Sequence, residues 1–353
     1  MVYRLLRPLL FVLPPETAHA LTLSSWQLLL RIPGMRPLIH GLCRVRSPQL
    51  QLERCGLVFP NRIGLAAGLD KDGRYLQALA SLGFGFVEIG TVTPLPQPGN
   101  EAPRLFRLPA DRALLNRMGF NNQGADVVAA RLKEFQEWKV RYKWQTVVGV
   151  NIGKNRSTPL DEAVEDYLFC FDRLHQWADY IVINVSSPNT EGLRELQQRS
   201  WLDGLLGHLQ QVNEKLPKPV PLFLKIAPDL SSSEVADVVD CALSHRLSGL
   251  IAANTTVNRH GLRTSAPVLE RMGSGGISGK PLAGRSTELI RIIRQRCGNR
   301  LTLMASGGIF TPEDVREKLQ AGADLIQLYT ALVYEGPGLV RKLVKALARD
   351  PAS

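Results

Sequence analysis

The sequence predicts an α/β chain: a (β/α)8 TIM-type barrel with a small N-terminal helical extension. Three observations carry this expectation. Eight short apolar runs recur between residues 62 and 328, separated by stretches with helical periodicity. A length of 353 residues suits one large barrel plus an appendage. Small, amide and hydroxyl residues collect just after the runs, where the strands of a parallel barrel end and its chemistry gathers. A doubly wound sheet is the alternative. It usually carries a Gly-x-Gly-x-x-Gly turn after its first strand, whereas the first run here leads into Ala66-Ala67-Gly68-Leu69-Asp70-Lys71.

Two parts are expected, 1–45 and 46–353. The first is apolar and basic, with Glu16 its one acidic residue. A short helix over Tyr3 to Leu13 is followed by an amphipathic helix over Glu16 to Arg31, started by Pro15 and stopped by Pro33-Gly34. Arg4, Arg7, Arg31 and Arg36 flank the apolar face. Such a pair either lies on an anionic membrane surface or packs on the main domain. The run Leu9–Leu13 is too short for a signal peptide and ends at Pro14-Pro15. No stretch is long enough to span a bilayer.

The strand-like runs are Arg62–Ala66, Phe86–Thr91, Thr146–Val150, Tyr180–Asn184, Leu222–Lys225, Gly249–Ala253, Leu301–Ala305 and Leu325–Leu328. Helical patterns lie between them, among them Gly124–Glu137, Leu160–Gln176, Ser231–Leu243, Thr287–Cys297 and Thr311–Ala321. The last opens with Thr311-Pro312-Glu313-Asp314: a threonine cap, proline at the first helical position and a carboxylate three residues on. Trp138-Lys139-Val140-Arg141-Tyr142-Lys143-Trp144 alternates aromatic or apolar with basic residues and reads as an exposed basic strand or ribbon.

Composition narrows the function classes. Hydrophobic content of 44% with 21% charged residues fits a folded globular protein. The net charge of +11 is compatible with an anionic lipid or substrate. It forms no run of clustered Lys/Arg and aromatics in a recognisable nucleic-acid module, which argues against nucleic acid. The five cysteines form no Cys-x-x-Cys pair and read as reduced thiols of a cytosolic setting. The six histidines show no His-x-x-x-His spacing, so no metal is expected.

The residues after the runs define the expected site. Ala67, Gly68 and Lys71 follow the first: small residues let a flat ligand approach the backbone, and the lysine offers a cation. Thr91 ends the second, and Asn116-Arg117-Met118-Gly119-Phe120 opens a later loop. Asn151 ends the third, Lys225 the fifth, and Asn254-Thr255-Thr256 the sixth. The fourth runs into Asn184-Val185-Ser186-Ser187-Pro188-Asn189-Thr190, two hydroxyls and a proline bracketed by amides. With no His/Asp pair or carboxylate dyad, this mouth is unsuited to a Ser-His-Asp triad or a glycosidase pair. It suits a planar, polar, anionic ligand and leaves redox work to a bound cofactor. The glycine-rich stretches Gly273–Gly279 and Ser306-Gly307-Gly308-Ile309, near the last two strands, together predict a backbone phosphate site, completed by Tyr329-Thr330.

The ordered motifs Ala-Ala-Gly-Leu-Asp-Lys, Asn-Arg-Met-Gly-Phe, Gly-Val-Asn-Ile-Gly-Lys-Asn, Asn-Val-Ser-Ser-Pro-Asn-Thr and Ser-Gly-Gly-Ile resemble those of the dihydroorotate dehydrogenases, specifically the quinone-dependent class 2 enzymes. The match covers nearly the whole chain. It implies FMN held by Ala67, Gly68, Lys71, Thr91, Asn151, Asn184, Lys225, Ala253, Gly276, Gly308, Tyr329 and Thr330. It implies dihydroorotate, or its product orotate, held by Lys71, Asn116, Arg117, Met118, Gly119, Phe120, Asn184, Asn189, Asn254 and Thr255. The chain departs at Ala253, where some relatives carry threonine. Ser187 takes the role of general base on C5, with Thr190 as a relay through water, while a hydride passes from C6 to flavin N5. Lys71 pairs with the substrate carboxylate and Lys225 stabilises the reduced flavin. Class 1 relatives carry cysteine at the base position and lack the N-terminal segment. In class 2 that segment sits on the membrane and frames a tunnel for a quinone, ubiquinone or menaquinone, along which His19 and Arg107 fall. The resemblance thus implies a peripheral protein on the cytoplasmic face of a bacterial inner membrane, in pyrimidine synthesis. Two other readings stand beside it: another FMN barrel acting on a pyrimidine-like ring with a soluble electron partner, and a membrane-docked binding protein on an inactive barrel.

Overall fold

The computed structural model describes residues 2–45 and 47–349. Residue 46, where the second part is expected to begin, lies outside the described residues, as do Met1 and 350–353. Three helices open the chain, α1 (Val2–Val12), α2 (Pro15–Leu29) and α3 (Met35–Cys43). A hairpin of β1 (Leu52–Arg54) and β2 (Leu57–Phe59) follows. Then come β3 (Ile63–Leu65), α4 (Leu76–Ala80), β4 (Phe86–Val92), β5 (Leu105–Leu108), β6 (Ala113–Asn116) and α5 (Ala125–Tyr142). Next are β7 (Val147–Ile152), α6 (Ala163–Leu174), β8 (Tyr180–Asn184), α7 (Arg199–Glu214), β9 (Leu222–Ile226), α8 (Ser232–Ser244) and β10 (Gly249–Ala252). The chain ends with α9 (Ala266–Met272), β11 (Gly276–Gly279), α10 (Ala283–Cys297), β12 (Thr302–Ser306), α11 (Pro312–Gln320), β13 (Leu325–Leu328), α12 (Thr330–Glu335) and α13 (Gly338–Arg349).

Eight strands close into a parallel barrel in the order β10-β12-β13-β3-β4-β7-β8-β9. Each of the eight apolar runs is one of them, within one or two residues at its ends. The Thr311 capping box at the start of α11 forms as its sequence suggests, and Ser231 makes a second box on α8.

The barrel interior fills by pairing glycines with rings. Phe86 lies beside Gly64, Tyr180 beside Gly149 and Phe223 beside Gly249 in register. A Cβ on Gly64 would come within 2.3 Å of the Phe86 ring, and one on Gly149 within 2.0 Å of Tyr180. The β1–β2 hairpin stops the N-terminal end, with Phe59 edge-on to Phe86 at 5.5 Å.

Three features differ from expectation. Trp138–Trp144 is no ribbon: α5 runs through Tyr142, and Lys143 ends it in the left-handed region (φ 52°). The alternation misleads because Trp138 and Tyr142 are also four apart and share a helix face. They seat α3: the Arg36 guanidinium lies 5.6 Å from the Trp138 ring and 4.4 Å from Tyr142, and His40 packs 4.2 Å from Trp144. Pro33-Gly34 ends α2, but Gly34, with φ +83°, also launches the unexpected α3. And Gly276–Gly279, expected as an open loop, is a strand in a three-stranded sheet with β6 and β5 over the barrel mouth.

The extension is tied to the barrel on its inner side. Tyr3 Oη donates to the Val333 carbonyl (2.5 Å), Arg7 to that of Tyr334 (3.0 Å), and Trp26 Nε1 to Ser81 Oγ (2.9 Å). Arg104 forks onto the Glu16 carboxylate. The outer side leaves Leu5, Leu9, Val12, Leu21, Leu28, Leu38 and Leu42 exposed, interspersed with exposed Arg4 and Arg31. Among the described residues no helix is long and apolar enough to cross a membrane.

Candidate active site

The C-terminal ends of the barrel strands surround a cleft of about 990 Å³. Its charged lining residues are Lys71 and Lys225, both cations; the rest is amide, hydroxyl, glycine and apolar surface. Lys71 Nζ donates to the Gly68 carbonyl (3.1 Å), and burial pushes its pKa down to about 8. Next to it, burial pushes Asp70 up to about 6, against backbone N–H donors from Arg74 and Tyr75.

One hydrogen-bonded web fixes the floor. Thr91 Oγ1 donates to Asn151 Oδ1 (2.5 Å). Asn184 Nδ2 donates to both Thr91 Oγ1 (2.8 Å) and Asn151 Oδ1 (3.0 Å). Ser186 Oγ donates to Asn184 Oδ1 and accepts from Asn254 Nδ2. On the rim, Ser187 Oγ accepts from the Asn189 N–H (3.2 Å), and Asn189 Nδ2 donates to Asn116 Oδ1 (3.1 Å). At the far end Ser278 and Thr330 hydroxyls meet at 2.8 Å. There Gly307 (φ +112°) and Gly308 (φ +76°) bring bare backbone to the cleft.

Most residues singled out in the sequence line this cleft: Ala67, Gly68, Lys71, Thr91, Asn116, Met118, Gly119, Phe120, Asn184, Ser187, Asn189, Lys225, Ala253, Asn254, Thr255, Gly308, Tyr329 and Thr330. Of the residues assigned to flavin, substrate or proton transfer, four stand outside the lining. Asn151 orients Thr91 and Asn184 from behind. Gly276 makes room for Thr255, whose Oγ1 would lie 1.9 Å from a Cβ there. Thr190 is buried behind the rim. The Arg117 guanidinium turns away to the Pro103 carbonyl.

Sequence reading missed Gln327, and it named Ser186 and Ser278 only as members of their motifs, with no role of their own. It also missed Glu88, a fully buried carboxylate inside β4 that faces Lys225 Nζ at 3.5 Å. Its signal was a charge within the apolar run Phe86-Val87-Glu88-Ile89. Far from the mouth, between α7 and α8, the ligating atoms of Asp203, Cys241 and His245 lie within 4.8 Å of one another. A Cys-x-x-x-His spacing foreshadowed that group, although the sequence reading expected no metal.

A second cavity, of about 1010 Å³, lies between the extension and the barrel and is predominantly apolar. Phe11, Trp26, Leu69, Leu105 and Leu332 are among its walls, with His19 and Arg107 among its polar residues. Arg107 donates to the carbonyls of Leu10, Phe11 and Leu13, closing the end of α1. Tyr329 lines both cavities. Burial, then the Lys71 charge, pushes His19 down to about 4. A folded pKa below the unfolded value of about 6.5 means that the unfolded chain takes up the proton first, so stability falls as pH drops from about 6.5 to about 4. Between pH 7 and 5, wild type is expected to lose about 2 kcal/mol more than His19→Gln in denaturant unfolding. Parallel curves for the two proteins would mean that His19 titrates normally.

Comparison with known proteins gives a consistent picture. A family model described as dihydroorotate dehydrogenase matches residues 49–350. A Coxiella burnetii protein named dihydroorotate dehydrogenase (quinone) is 47% identical over 353 residues, covering 98% of this chain and 97% of the relative. One of the same name from Chloroflexus aurantiacus is 48% identical over 350 residues, covering 97% and 94%. A crystal structure of DHODH from Eimeria tenella in complex with ferulenol superposes with a TM-score of 0.81 at 37% identity, covering 91% of this chain and 93% of that one.

Proposed function

The chain belongs to the dihydroorotate dehydrogenase family, and on that premise we propose that it oxidises dihydroorotate to orotate at the barrel mouth, with FMN as cofactor and a quinone as electron acceptor. The observation that carries this reading is the pairing of two cavities on one side chain, Tyr329: a polar, cationic cleft and an apolar one.

The cleft fits FMN on its own features. Thr255 Oγ1 is buried without a protein partner, and the residue lines the cleft. Gly68 lets the backbone approach beside Tyr329, whose ring would stand 3.3 Å from a Cβ there. Ala67, Gly68, Thr91, Asn184, Lys225, Ala253, Gly308, Tyr329 and Thr330 would hold the group, with Asn151 and Gly276 behind them. Bound FMN supplies the acceptor for the hydride leaving C6 of the substrate and the route of those electrons to the quinone.

The chain's own residues do the rest. Lys71 presents an ammonium to the substrate carboxylate; at neutral pH a group titrating at about 8 is mostly protonated. Asn116, Asn184, Asn189, Asn254 and Thr255 offer amides and a hydroxyl to the edges of a planar ring, while Met118, Gly119 and Phe120 close over it. Arg117 supports the loop rather than the ligand. Ser187 Oγ accepts the C5 proton and passes its own on, with Thr190 as the buried next step. The Asn189 N–H pointing at Ser187 Oγ stabilises charge that develops there.

Residues 1–45 form the quinone and membrane element, and 46–353 the catalytic barrel. The exposed leucines between Arg4 and Arg31 support a peripheral position on an anionic bilayer, at the cytoplasmic face of a bacterial inner membrane. The apolar cavity with His19 and Arg107 supports entry of ubiquinone or menaquinone from that side.

Gly308→Ala is expected to yield folded protein stripped of flavin, because the added methyl lies 2.4 Å from the Ala283 backbone at a φ of +76°. The ratio of flavin absorbance to protein checks this, and a full complement of flavin would remove Gly308 from the cofactor site. The function itself is tested by anaerobic mixing with dihydroorotate, then with a ubiquinone analogue. Flavin bleaching followed by recovery is the expected result. No bleaching of a flavin-loaded sample would sink the substrate assignment, and bleaching without recovery would sink the quinone.

A further inference from the structure

We propose that Glu88 is the positioning residue that keeps the Lys225 ammonium charged and aimed at the mouth, and thereby sets the reduction potential of the cofactor above it; this rests on the FMN reading. Glu88 sits midway along β4 with no exposed surface. A carboxylate removed from water persists as an ion only where cations and donors meet both of its oxygens.

Both are met. Oε1 accepts from Asn151 Nδ2 (3.0 Å) and faces Lys225 Nζ (3.5 Å), and Oε2 accepts from Gln327 Nε2 (2.5 Å). These partners stand on β7, β9 and β13, so the carboxylate ties four barrel strands into one belt. Lys225 and Gln327 line the cleft, whereas Glu88 and Asn151 lie beneath. The other titratable group facing Glu88 is Tyr180, a hydroxyl that burial keeps neutral.

Two consequences follow from that placement. By taking Asn151 Nδ2, Glu88 fixes which end of that amide faces Thr91 and Asn184: the oxygen. And 3.5 Å is long for an ammonium–carboxylate hydrogen bond, which is usually about 2.7–2.9 Å. Lys225 is therefore paired without being clamped, and its remaining N–H groups are free to serve the cleft. A buried lysine without its counter-ion favours the neutral amine, and a neutral amine no longer stabilises negative charge arriving on the cofactor.

The test is a cycle of Glu88→Gln, Lys225→Met and the double variant. In flavin-loaded protein, equilibrium photoreduction against reference dyes should show a lower potential in both single variants, and no lower value in the double than in Lys225→Met. An unchanged or raised potential in Glu88→Gln, or additive shifts, would overturn the proposal. In flavin-free protein, each single variant should lose more thermal stability than the double, since a buried lysine or carboxylate left without its partner either keeps its charge or gives it up at a cost that a neutral pair does not bear. If a single variant fails to fold, the double should restore folding; a double as damaged as the sum of the singles overturns the proposal. A flavin-loaded Glu88→Gln with wild-type potential leaves the FMN reading intact. A protein that never binds flavin sinks that reading, while the stability cycle still decides whether Lys225 depends on Glu88.

Discussion

Ser187→Ala should retain bound flavin and lose about 10²–10⁴-fold in the rate at which dihydroorotate reduces it at pH 7, the usual scale of a general base. The residue is 5% exposed and its Oγ accepts one bond, from the Asn189 N–H. Removing that oxygen takes away the proton acceptor while leaving untouched the Thr91–Asn151–Asn184 web that shapes the floor. Binding of orotate should therefore change little. Anaerobic stopped-flow reduction reads the rate, and an orotate titration of flavin absorbance reads the binding. A rate within a few-fold of wild type would take the base away from Ser187. The nearby polar groups on the rim, Asn189 and Thr190, are poorer candidates: an amide has no useful basicity, and Thr190 lies behind the lining.

Deleting residues 1–45 should separate the two half-reactions. The polar cleft is built from the barrel, so dihydroorotate should still reduce the flavin. The apolar cavity takes Tyr3, Phe11, Pro15, Ala18, His19, Leu23 and Trp26 from the extension, and without them it is an open groove. Quinone reduction should fall roughly 10²-fold or more, the scale of lost positioning. Thermal stability should also drop. Arg107 loses three carbonyl partners, and Leu79, Leu82 and Leu114 lose their cover. Equal loss of both half-reactions in a soluble, flavin-loaded truncation would make the extension a folding element instead.

The sequence was most legible where one physical signal dominated. Buried parallel strands need continuous apolar residues, and all eight runs stand out for that reason. The Thr311 cap is local chemistry and needs no tertiary information. The strands outside the barrel carry no such signal: β1, β2, β5, β6 and β11 are about as short as β3, β10 and β13 but fall outside the strand–helix rhythm, and tertiary pairing decides them. Trp138–Trp144 fits two periods at once, and Arg36, a hundred residues away, settles it as helix. The residue types at strand ends were legible; their orientation was not. Arg117 turns outward because Pro103 offers a carbonyl, and Glu88 is invisible as part of the site until Lys225 is placed against it.

The glycine-and-ring pairs at the foot of the barrel limit how this chain can drift over generations. A lone Gly149→Ala meets the Tyr180 ring at 2.0 Å, and a lone Gly64→Ala meets Phe86 at 2.3 Å. The reciprocal steps, trimming either ring to alanine, leave voids that cost about 3–5 kcal/mol each. Neither partner can change first without a large penalty, so substitutions at these positions are accessible mainly as joint events. Lineages sharing this barrel should therefore keep each glycine together with its neighbouring ring, or exchange both at once.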